Sequence, residues 1–292
     1  MSYKVTMKTR AVITVTILAV VAVSPPAYAM TNTQAKQLSV AAYKGNVSDL
    51  TKLSTAATSG DANAQSWLGS YFGSKNNYAK ANYWYQKAAD QGNADAEFML
   101  GVNYTKGHGV PQNYAKAVYW SQKAAQQGYA DAENNLGVAY ANGQGVPQDY
   151  AKADYWYQKS ADQGYADAEY NLGLAYANGQ GVPQDYAKAD YWYQKSADQG
   201  YASAEAILGR AYAKGQGVPQ NYAKAVYWNK RATDQGNNAA EYALGLAYYK
   251  GQGIPQNSMK AVYWWKKAAA QGGKIGELAK RNIKIVEHGS AE

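Results

Sequence analysis

The chain has 292 residues, no cysteine and a formal net charge of +8. The lack of cysteine excludes disulfide bonds, thiolate metal sites and a cysteine-anchored lipoprotein. Three of the positive charges lie within the first ten residues, so residues 30–292 carry a net charge of only +5. A mildly basic chain can be attracted to anionic surfaces, but this charge does not by itself indicate a nucleic-acid partner.

Residues 1–29 have the pattern of a secretory signal peptide. Positive charges at Lys4, Lys8 and Arg10 precede an apolar run at 11–23, and Ala27-Tyr28-Ala29 is a small-x-small cleavage site. The apolar run is short for a membrane span, although an uncleaved N-terminal anchor is the alternative interpretation. We expect cleavage after Ala29, a periplasmic or secreted location, and no stable membrane insertion of the remaining chain.

Residues 30–60 are polar and less regular than the rest of the chain. Helical patterns at 34–43 and 48–58 are separated by Gly45-Asn46 and followed by Gly60. We expect this segment to form a degenerate pair of helices that caps one end of a larger array.

A period of 36 residues dominates the sequence after residue 60. Tryptophan follows it at Trp84, Trp120, Trp156, Trp192, Trp228 and Trp264. Glutamate follows it at Glu97, Glu133, Glu169, Glu205, Glu241 and Glu277. Proline follows it at Pro111, Pro147, Pro183, Pro219 and Pro255. The period defines six units, at 61–92, 93–128, 129–164, 165–200, 201–236 and 237–272.

The unit at 165–200 predicts a pair of helices. Its first half, 166–178, has an apolar stripe at helical spacing, and Gly179 can end that helix in the left-handed conformation. Asp185 is a suitable N-cap for a second helix at 186–199. Because one helix pair cannot bury both of its faces, neighbouring pairs must stack into a solenoid. We expect the tryptophan column to be the main source of cohesion between helices.

Residues 273–292 are expected to form a C-terminal capping helix and a frayed tail. Lys280-Arg281 stands where the preceding units have Leu-Gly, which gives this helix a charged side facing solvent.

The repeated residues resemble the Sel1-like repeat, a relative of the tetratricopeptide repeat. The resemblance rests on Ala168, Leu172, Gly173, Tyr176, Gly179, Gly181, Val182, Asp185, Lys188, Ala189, Trp192, Lys195, Ala197 and Gly200. It implies an all-α fold, a right-handed α-solenoid of antiparallel helix pairs whose inner surface is lined by the first helices. It also implies an adaptor or scaffold role, which in bacteria often concerns envelope regulation or contact with host cells.

Three positions of the first helices vary between units while their neighbours stay constant. They are spaced i, i+4 and i+8, so they share one helix face, which is the candidate concave lining. Aromatic, apolar and basic side chains there suit a protein or peptide groove. The candidate binding residues are Phe98, Asn134, Tyr170, Leu174, Arg210, Lys214, Tyr242 and Leu246. The alternative is that these positions drifted after duplication.

Two lysine columns lie seven residues apart on the second helices, at Lys80, Lys116, Lys152, Lys188, Lys224 and Lys260, and at Lys87, Lys123, Lys159, Lys195, Arg231 and Lys267. They form either a ridge that weakly contacts anionic envelope polymers, or a solvated face neutralised by Asp90, Asp162, Asp198 and Asp234. We favour the solvated face.

The residues that could carry catalysis are sparse. The recurrent glutamate occupies the same place in every unit, which favours a structural role over an acid–base pair. The two histidines, His108 and His288, have no metal-binding or triad context and are expected at the surface. We therefore predict a non-catalytic scaffold that binds a protein or peptide, with no cofactor and no metal. The alternatives are a cell-wall or carbohydrate-binding module using Tyr and Trp platforms and, less favoured, a β-lactam hydrolase, an activity that the resemblance links to a cysteine-rich branch.

Overall fold

The computed structural model describes residues 29–288. The predicted signal peptide before Ala29 and the predicted frayed tail at 289–292 lie outside the described residues. Within them the chain forms fifteen α-helices and no strand: α1 (Asn32–Tyr43), α2 (Val47–Thr58), α3 (Ala62–Ser74), α4 (Tyr78–Ala89), α5 (Ala94–Lys106), α6 (Tyr114–Gln126), α7 (Ala130–Asn142), α8 (Tyr150–Asp162), α9 (Ala166–Asn178), α10 (Tyr186–Asp198), α11 (Ala202–Lys214), α12 (Tyr222–Asp234), α13 (Asn238–Lys250), α14 (Ser258–Ala270) and α15 (Gly273–His288).

Each of the six units is one pair of these helices. The odd-numbered helices α3 to α13 are the first helices of the units, and the even-numbered helices α4 to α14 are the second helices. Every helix packs against the helix before it and the helix after it. The result is an α-solenoid of antiparallel helix pairs in which each unit contacts mainly its neighbours.

Local sequence sets where the helices begin and end. The Asp185 carboxylate accepts a hydrogen bond from the Lys188 backbone N–H at 3.0 Å, which caps α10 as predicted. That helix ends at Asp198, one residue earlier than the sequence pattern predicts, and Gln199 is its cap residue. Gly179 ends α9 with φ of 68°, a left-handed conformation that costs glycine little.

The buried core is made mainly of small and branched aliphatic side chains. One leucine per first helix is at most 2% exposed, at Leu68, Leu100, Leu136, Leu172, Leu208 and Leu244. Among the periodic tryptophans only Trp120 and Trp228 are buried, whereas the other four are half-buried. The tryptophan column therefore contributes less to the fully buried core than expected, because four of its six rings lie at the edge of the core.

A buried glutamate ties together the two helices in each of units 3 to 6. In unit 4 Glu169 is 1% exposed, its Oε2 accepts from Gln199 Nε2 at 2.8 Å, and its Oε1 lies 3.3 Å from Lys195 Nζ. Gln199 Nε2 also donates to the Gly164 carbonyl of the preceding unit at 2.9 Å. A buried carboxylate needs such partners. The equivalent glutamates of units 3, 5 and 6 have the same pair of contacts. The column is thus structural, as its periodicity predicted.

Both ends of the array are covered by helices. At the N-terminal end α1 and α2 both pack on α3, and Thr31 and Gln34 form a capping box at the start of α1. At the C-terminal end α15 buries Ala279 and Ile283 against α13 and α14, while Lys280 and Arg281 are exposed as expected. No helix between residues 29 and 288 combines the length and apolar character needed to cross a membrane.

Candidate functional site

The first helices line the inner side of the solenoid. First helices of neighbouring units touch directly at two places, α3 with α5 and α11 with α13, although a second helix separates each pair in sequence, and α13 touches the capping helix α15 in the same way. No two second helices between residues 29 and 288 pack together to a comparable extent. The side on which alternate helices approach one another is the inner side of the curve, which places the candidate groove along the first helices.

Four equivalent cavities follow this inner side. We number the junctions by the units they join, so that the second junction lies between units 2 and 3 and the fifth between units 5 and 6. Each cavity lies between two successive first helices, above the second helix that separates them. The volumes are about 240 Å³ at the second junction, 300 Å³ at the third, 150 Å³ at the fourth and 430 Å³ at the fifth.

The order of the cavity volumes follows the presence or absence of aromatic rings at two positions of each unit, which we call the ring positions. One is on the first helix and is occupied in units 2 to 5 by Phe98, Asn134, Tyr170 and Ala206. The other follows the periodic tryptophan on the second helix and is occupied in the same units by Ser121, Tyr157, Tyr193 and Asn229. The fourth junction has two rings and the smallest cavity, the second and third have one ring each, and the fifth has none and the largest cavity.

A glycine on the first helix makes room for the ring of the second helix. The space for a Cβ on Gly173 lies 2.5 Å from the Tyr193 ring, so the ring rests directly on the helix backbone. The Tyr157 ring rests on Gly137 and the Trp265 ring on Gly245 in the same way. At the fifth junction the shorter Asn229 side chain occupies the corresponding place against Gly209.

The floors of the third and fourth cavities carry buried carboxylates. Asp154 and Asp190 are 9% and 7% exposed, and the Oδ2 of each accepts no hydrogen bond within the described residues. Burial raises the pKa of each to about 6. The equivalent residue of unit 1 is Asn82, whose Nδ2 donates to the His108 carbonyl of the next unit at 2.8 Å. The aspartates can match that bond only when they are protonated.

The fifth cavity differs from the third and fourth in charge and in its floor. Val226 replaces the aspartate, and no acidic side chain lines the cavity. Arg210, Lys214 and Lys250 surround it, and all three are exposed. The Asn229 side chain lies in its floor, is 4% exposed, and its Oδ1 has no hydrogen-bond partner within residues 29–288.

The structure distributes the eight predicted binding residues over several junctions. Arg210, Lys214, Tyr242 and Leu246 line the fifth cavity together. Phe98 lines the second cavity and stacks on Tyr129, and Leu174 lines the third.

Two of the eight are committed to packing within the chain. Tyr170 is half-buried, with ring centroids 5.9 Å from Tyr193 and 5.1 Å from Tyr201. Asn134 is buried and its Oδ1 accepts from Asn171 Nδ2 at 2.9 Å. Neighbouring side chains of the array therefore cover both residues, which are not open to the groove.

Sequence reasoning missed the contribution of the second helices. Ser121, Asp154, Asp190 and Asn229 all line the cavities, yet the variable positions of the first helices pointed to none of them. The signal was present in the position after each periodic tryptophan, which reads Tyr85, Ser121, Tyr157, Tyr193, Asn229 and Trp265. Two small residues interrupt a column of large rings.

Contacts within each unit restrain both lysine columns. Lys195 Nζ lies 4.8 Å from the Trp192 ring centroid, and Lys188 Nζ lies 5.3 Å from the Tyr176 ring. The ion pairs of these columns involve other acidic side chains than the four aspartates expected: the buried glutamates pair with the second column, and Asp149 and Asp185 pair with Lys152 and Lys188 of the first. Asp162 and Asp198 instead accept hydrogen bonds from glutamine side chains one turn earlier.

His108, one of the two predicted surface histidines, does not line the groove. His108 is half-buried and stacks on Tyr78 of the preceding unit, with ring centroids 4.5 Å apart, because the loop after α5 folds against α4. The side chain of His288 lies outside the described part of the chain. Among residues 29–288, no three acidic or histidine side chains converge in a way that could hold a metal ion.

Comparisons with known proteins agree with this architecture. The family model described as "Sel1 repeat" matches residues 62–93, 94–129, 130–165, 166–201, 202–237 and 238–273. The chain is similar to the solved structure of a protective antigen present in uropathogenic Escherichia coli strains displaying an SLR fold. That match has 36% identity and a TM-score of 0.76, and it covers 83% of this chain and 52% of that one.

A second similar structure is a Sel1 repeat protein from Oxalobacter formigenes, with 33% identity and a TM-score of 0.72. That match covers 86% of this chain and 76% of the other. The chain thus spans about half the length of the first of these proteins and about three quarters of the second. No curated protein matches the sequence.

Proposed function

Because the chain belongs to the Sel1 repeat family, whose members are generally protein-interaction scaffolds, we propose that it binds a protein or peptide along its inner groove and catalyses no reaction. The single observation that carries this proposal is the row of four equivalent cavities between successive first helices. The helix pairs repeat with the same packing, while the residues that line each cavity differ. An extended peptide lying along the groove would therefore make different contacts at each junction.

The partner should carry negative charge where it meets the C-terminal half of the groove. Arg210, Lys214 and Lys250 form no ion pair within the described residues and lie on one side of the solenoid. Opposite charges across an interface raise the association rate and favour one binding register.

Crosslinking in cells followed by mass spectrometry would identify the partner, and charge reversal would test the surface. Changing Arg210, Lys214 and Lys250 to Glu should abolish capture while far-ultraviolet circular dichroism stays unchanged, since all three are exposed. The matched control reverses Lys44, Lys230 and Lys284, which are exposed elsewhere, and should retain capture. Capture that survives the first triple variant would contradict the proposed face.

The proposed location is the periplasm or the exterior of a bacterial cell, with cleavage after Ala29. The support is the charged start, the apolar run at 11–23 and the Ala27-Tyr28-Ala29 site. N-terminal sequencing of protein recovered from the periplasmic fraction and from the culture medium would test this. A mature chain beginning at Met30 is expected, and a chain beginning at Met1 in the cytoplasm would contradict the proposal.

The absence of catalysis is also a proposal, supported by the repetition of the acidic side chains. The buried glutamates of units 3 to 6 have the same structural partners, and the buried aspartates recur in two successive units. Pure protein should leave nitrocefin intact, and turnover above the background rate that is lost on heat denaturation would overturn this part.

Binding to cell-wall glycan is a second candidate, favoured by a row of tyrosines on the second helices. These tyrosines precede the periodic tryptophans and are 50–58% exposed: Tyr83, Tyr119, Tyr155, Tyr191, Tyr227 and Tyr263. Exposed rings could stack on sugars, and the lysines beside them could contact anionic envelope polymers weakly. Co-sedimentation with purified cell wall, lost when three of these tyrosines become alanine, would favour this function over the groove.

A further inference from the structure

The fifth junction is the one place among the four cavities where neither ring position holds a ring. Ala206 replaces the aromatic or amide side chain of the first helix, and Asn229 replaces the tyrosine of the second helix. The frame around them is otherwise the same, because Gly209, Leu208 and Ala225 remain at the positions that pack in every unit. The junction therefore has the shape of a ring site without the ring.

The space left there is large enough for one aromatic side chain with its flanking backbone. Its volume is about 430 Å³, against about 150 Å³ at the fourth junction, where Tyr170 and Tyr193 are present. Its walls are apolar and are formed by Ile207, Val226, Ala243, Leu246 and Ile275. Burial of an aromatic ring against such walls is favourable by a few kcal/mol.

The floor adds a hydrogen-bond acceptor. Asn229 Oδ1 rests against Gly209 and has no partner within residues 29–288. No hydrogen bond to that oxygen holds the amide in place, so rotation about its last bond can turn the acceptor toward the cavity. A buried acceptor without a partner costs free energy, which a ligand N–H or O–H would recover.

The chain itself provides the template for an occupant. In unit 6 the Trp265 ring lies on Gly245, and its Nε1 donates to the Tyr242 carbonyl at 3.2 Å. The residues at the equivalent positions of unit 5 are Asn229, Gly209 and Ala206, and all three line the fifth cavity. An indole or phenol entering from a partner would therefore find the same helical frame as the chain's own ring one repeat later, with the small Asn229 amide on Gly209 in place of a ring.

We propose that the fifth junction binds a tryptophan or tyrosine side chain of a partner peptide, flanked by acidic residues. The aromatic ring fills the apolar walls, its N–H or O–H donates to Asn229 Oδ1, and the flanking carboxylates pair with Arg210, Lys214 and Lys250. This inference rests on the proposed function, of which it names the partner's chemistry and the anchoring site.

The test uses the tripeptide acetyl-Glu-Trp-Glu-amide, with binding measured by chemical-shift perturbation on the residue 30–292 chain. Asn229→Tyr should weaken binding by at least about tenfold, because the new ring occupies the site. Lys230→Tyr places the same ring at an exposed position of the same helix, outside the four cavities, and is the matched control, which should bind as the unmodified protein does. Replacing Trp by Ala, or both Glu by Lys, in the peptide should also abolish binding.

Three results would overturn the proposal: no binding of the tripeptide to the unmodified protein, undiminished binding to Asn229→Tyr, or equal loss with Lys230→Tyr. The crosslinking experiment separates this failure from failure of the proposed function. In that experiment, partner capture could be lost with the Arg210, Lys214 and Lys250 triple variant but unaffected by Asn229→Tyr. This result would support the groove as the binding surface and contradict the aromatic anchor at the fifth junction.

Discussion

The fourth and fifth junctions are built on the same backbone frame and differ in what fills the space between the first helices. At the fourth, Tyr170 and Tyr193 meet above a buried Asp190, and about 150 Å³ remains. At the fifth, Ala206 and Asn229 stand at the ring positions, and about 430 Å³ remains. Constant positions therefore determine the fold, while a few variable positions decide whether each step of the groove is filled or available. A solenoid tolerates this because each unit depends mainly on its neighbours.

Emptying the filled junction should change stability more than any other substitution considered for these two junctions. Tyr193 is 3% exposed, and Tyr193→Ala should lower the free energy of unfolding by about 3 kcal/mol because it leaves a cavity above Gly173. Asn229→Ala at the fifth junction should cost less than about 1 kcal/mol, since no ring is lost there. Urea unfolding followed by circular dichroism would measure both. Equal losses would contradict the distinction between the two junctions.

A more moderate loss is expected from adding a methyl group beneath the ring. The Cβ of Gly173→Ala would lie 2.5 Å from the Tyr193 ring, and overpacking there should destabilise the protein by about 2 kcal/mol. The Cβ of Gly209→Ala would meet only the flexible end of Asn229, and better helix propensity should make that change close to neutral. Thermal unfolding of the two variants is a direct comparison. A larger loss for Gly209→Ala would show that the fifth junction is as tightly packed as the fourth.

The buried Asp190 carboxyl at the fourth junction should make the stability of the fold depend on pH. Among residues 29–288 no buried carboxyl lines the fifth junction, which should therefore make no such contribution. The pKa of Asp190 is raised from 3.8 to about 6 by burial, so the folded state holds the proton more tightly than the unfolded state. The stabilisation of the fold by the protonated Asp190 carboxyl is complete below the ordinary pKa of 3.8. It is lost as the pH rises through the pKa of about 6 that this carboxyl has in the folded state. Between about pH 4 and pH 7 this carboxyl should cost roughly 1–2 kcal/mol of stability.

Asp190→Asn should remove that part of the pH dependence and stabilise the protein at neutral pH. The reason is that asparagine can donate to the next loop, as Asn82 does. Asp198→Asn, at an exposed position on the same helix, is the control and should leave the profile unchanged. Identical melting-temperature profiles for Asp190→Asn and the unmodified chain would show that Asp190 is already ionised and satisfied.

Filling the available junction should produce only a slight gain in stability. Asn229→Tyr places a ring on Gly209 and removes an acceptor without a partner, so it should raise the free energy of unfolding by about 1 kcal/mol. Chemical denaturation would measure the gain. A loss of stability would mean that the fifth junction cannot take the ring that the third, fourth and sixth units hold.

The architecture was readable from the sequence because it depends on positions that repeat. Asp185 and Gly179 predicted the beginning and end of neighbouring helices, and the 36-residue period predicted a stack of helix pairs. The groove was only partly readable, because its lining is assembled from three helices. The spacing of variable positions along the first helices indicated Arg210 on α11 and Leu246 on α13. It did not indicate Asn229, which lines the cavity from the second helix α12.

Burial and charge pairing were the least predictable properties. The partner of Glu169 is Lys195, which lies 26 residues away on the other helix, so no pattern within one helix indicates it. Asp190 lies on a largely polar helix and has the sequence context of a surface residue, yet the next unit covers it. Such contacts depend on the angle between neighbouring units, and the spacing of residues along the sequence does not determine that angle.

A crystal structure of the chain grown with acetyl-Glu-Trp-Glu-amide would show whether the fifth junction is an open site for an aromatic ring. We expect density for one indole ring there, between Ala206 and Leu246 and beside the Asn229 amide that covers Gly209, with its N–H donating to Asn229 Oδ1. An indole bound elsewhere, or a fifth cavity closed by its own Arg210 and Tyr242 side chains, would contradict that assignment.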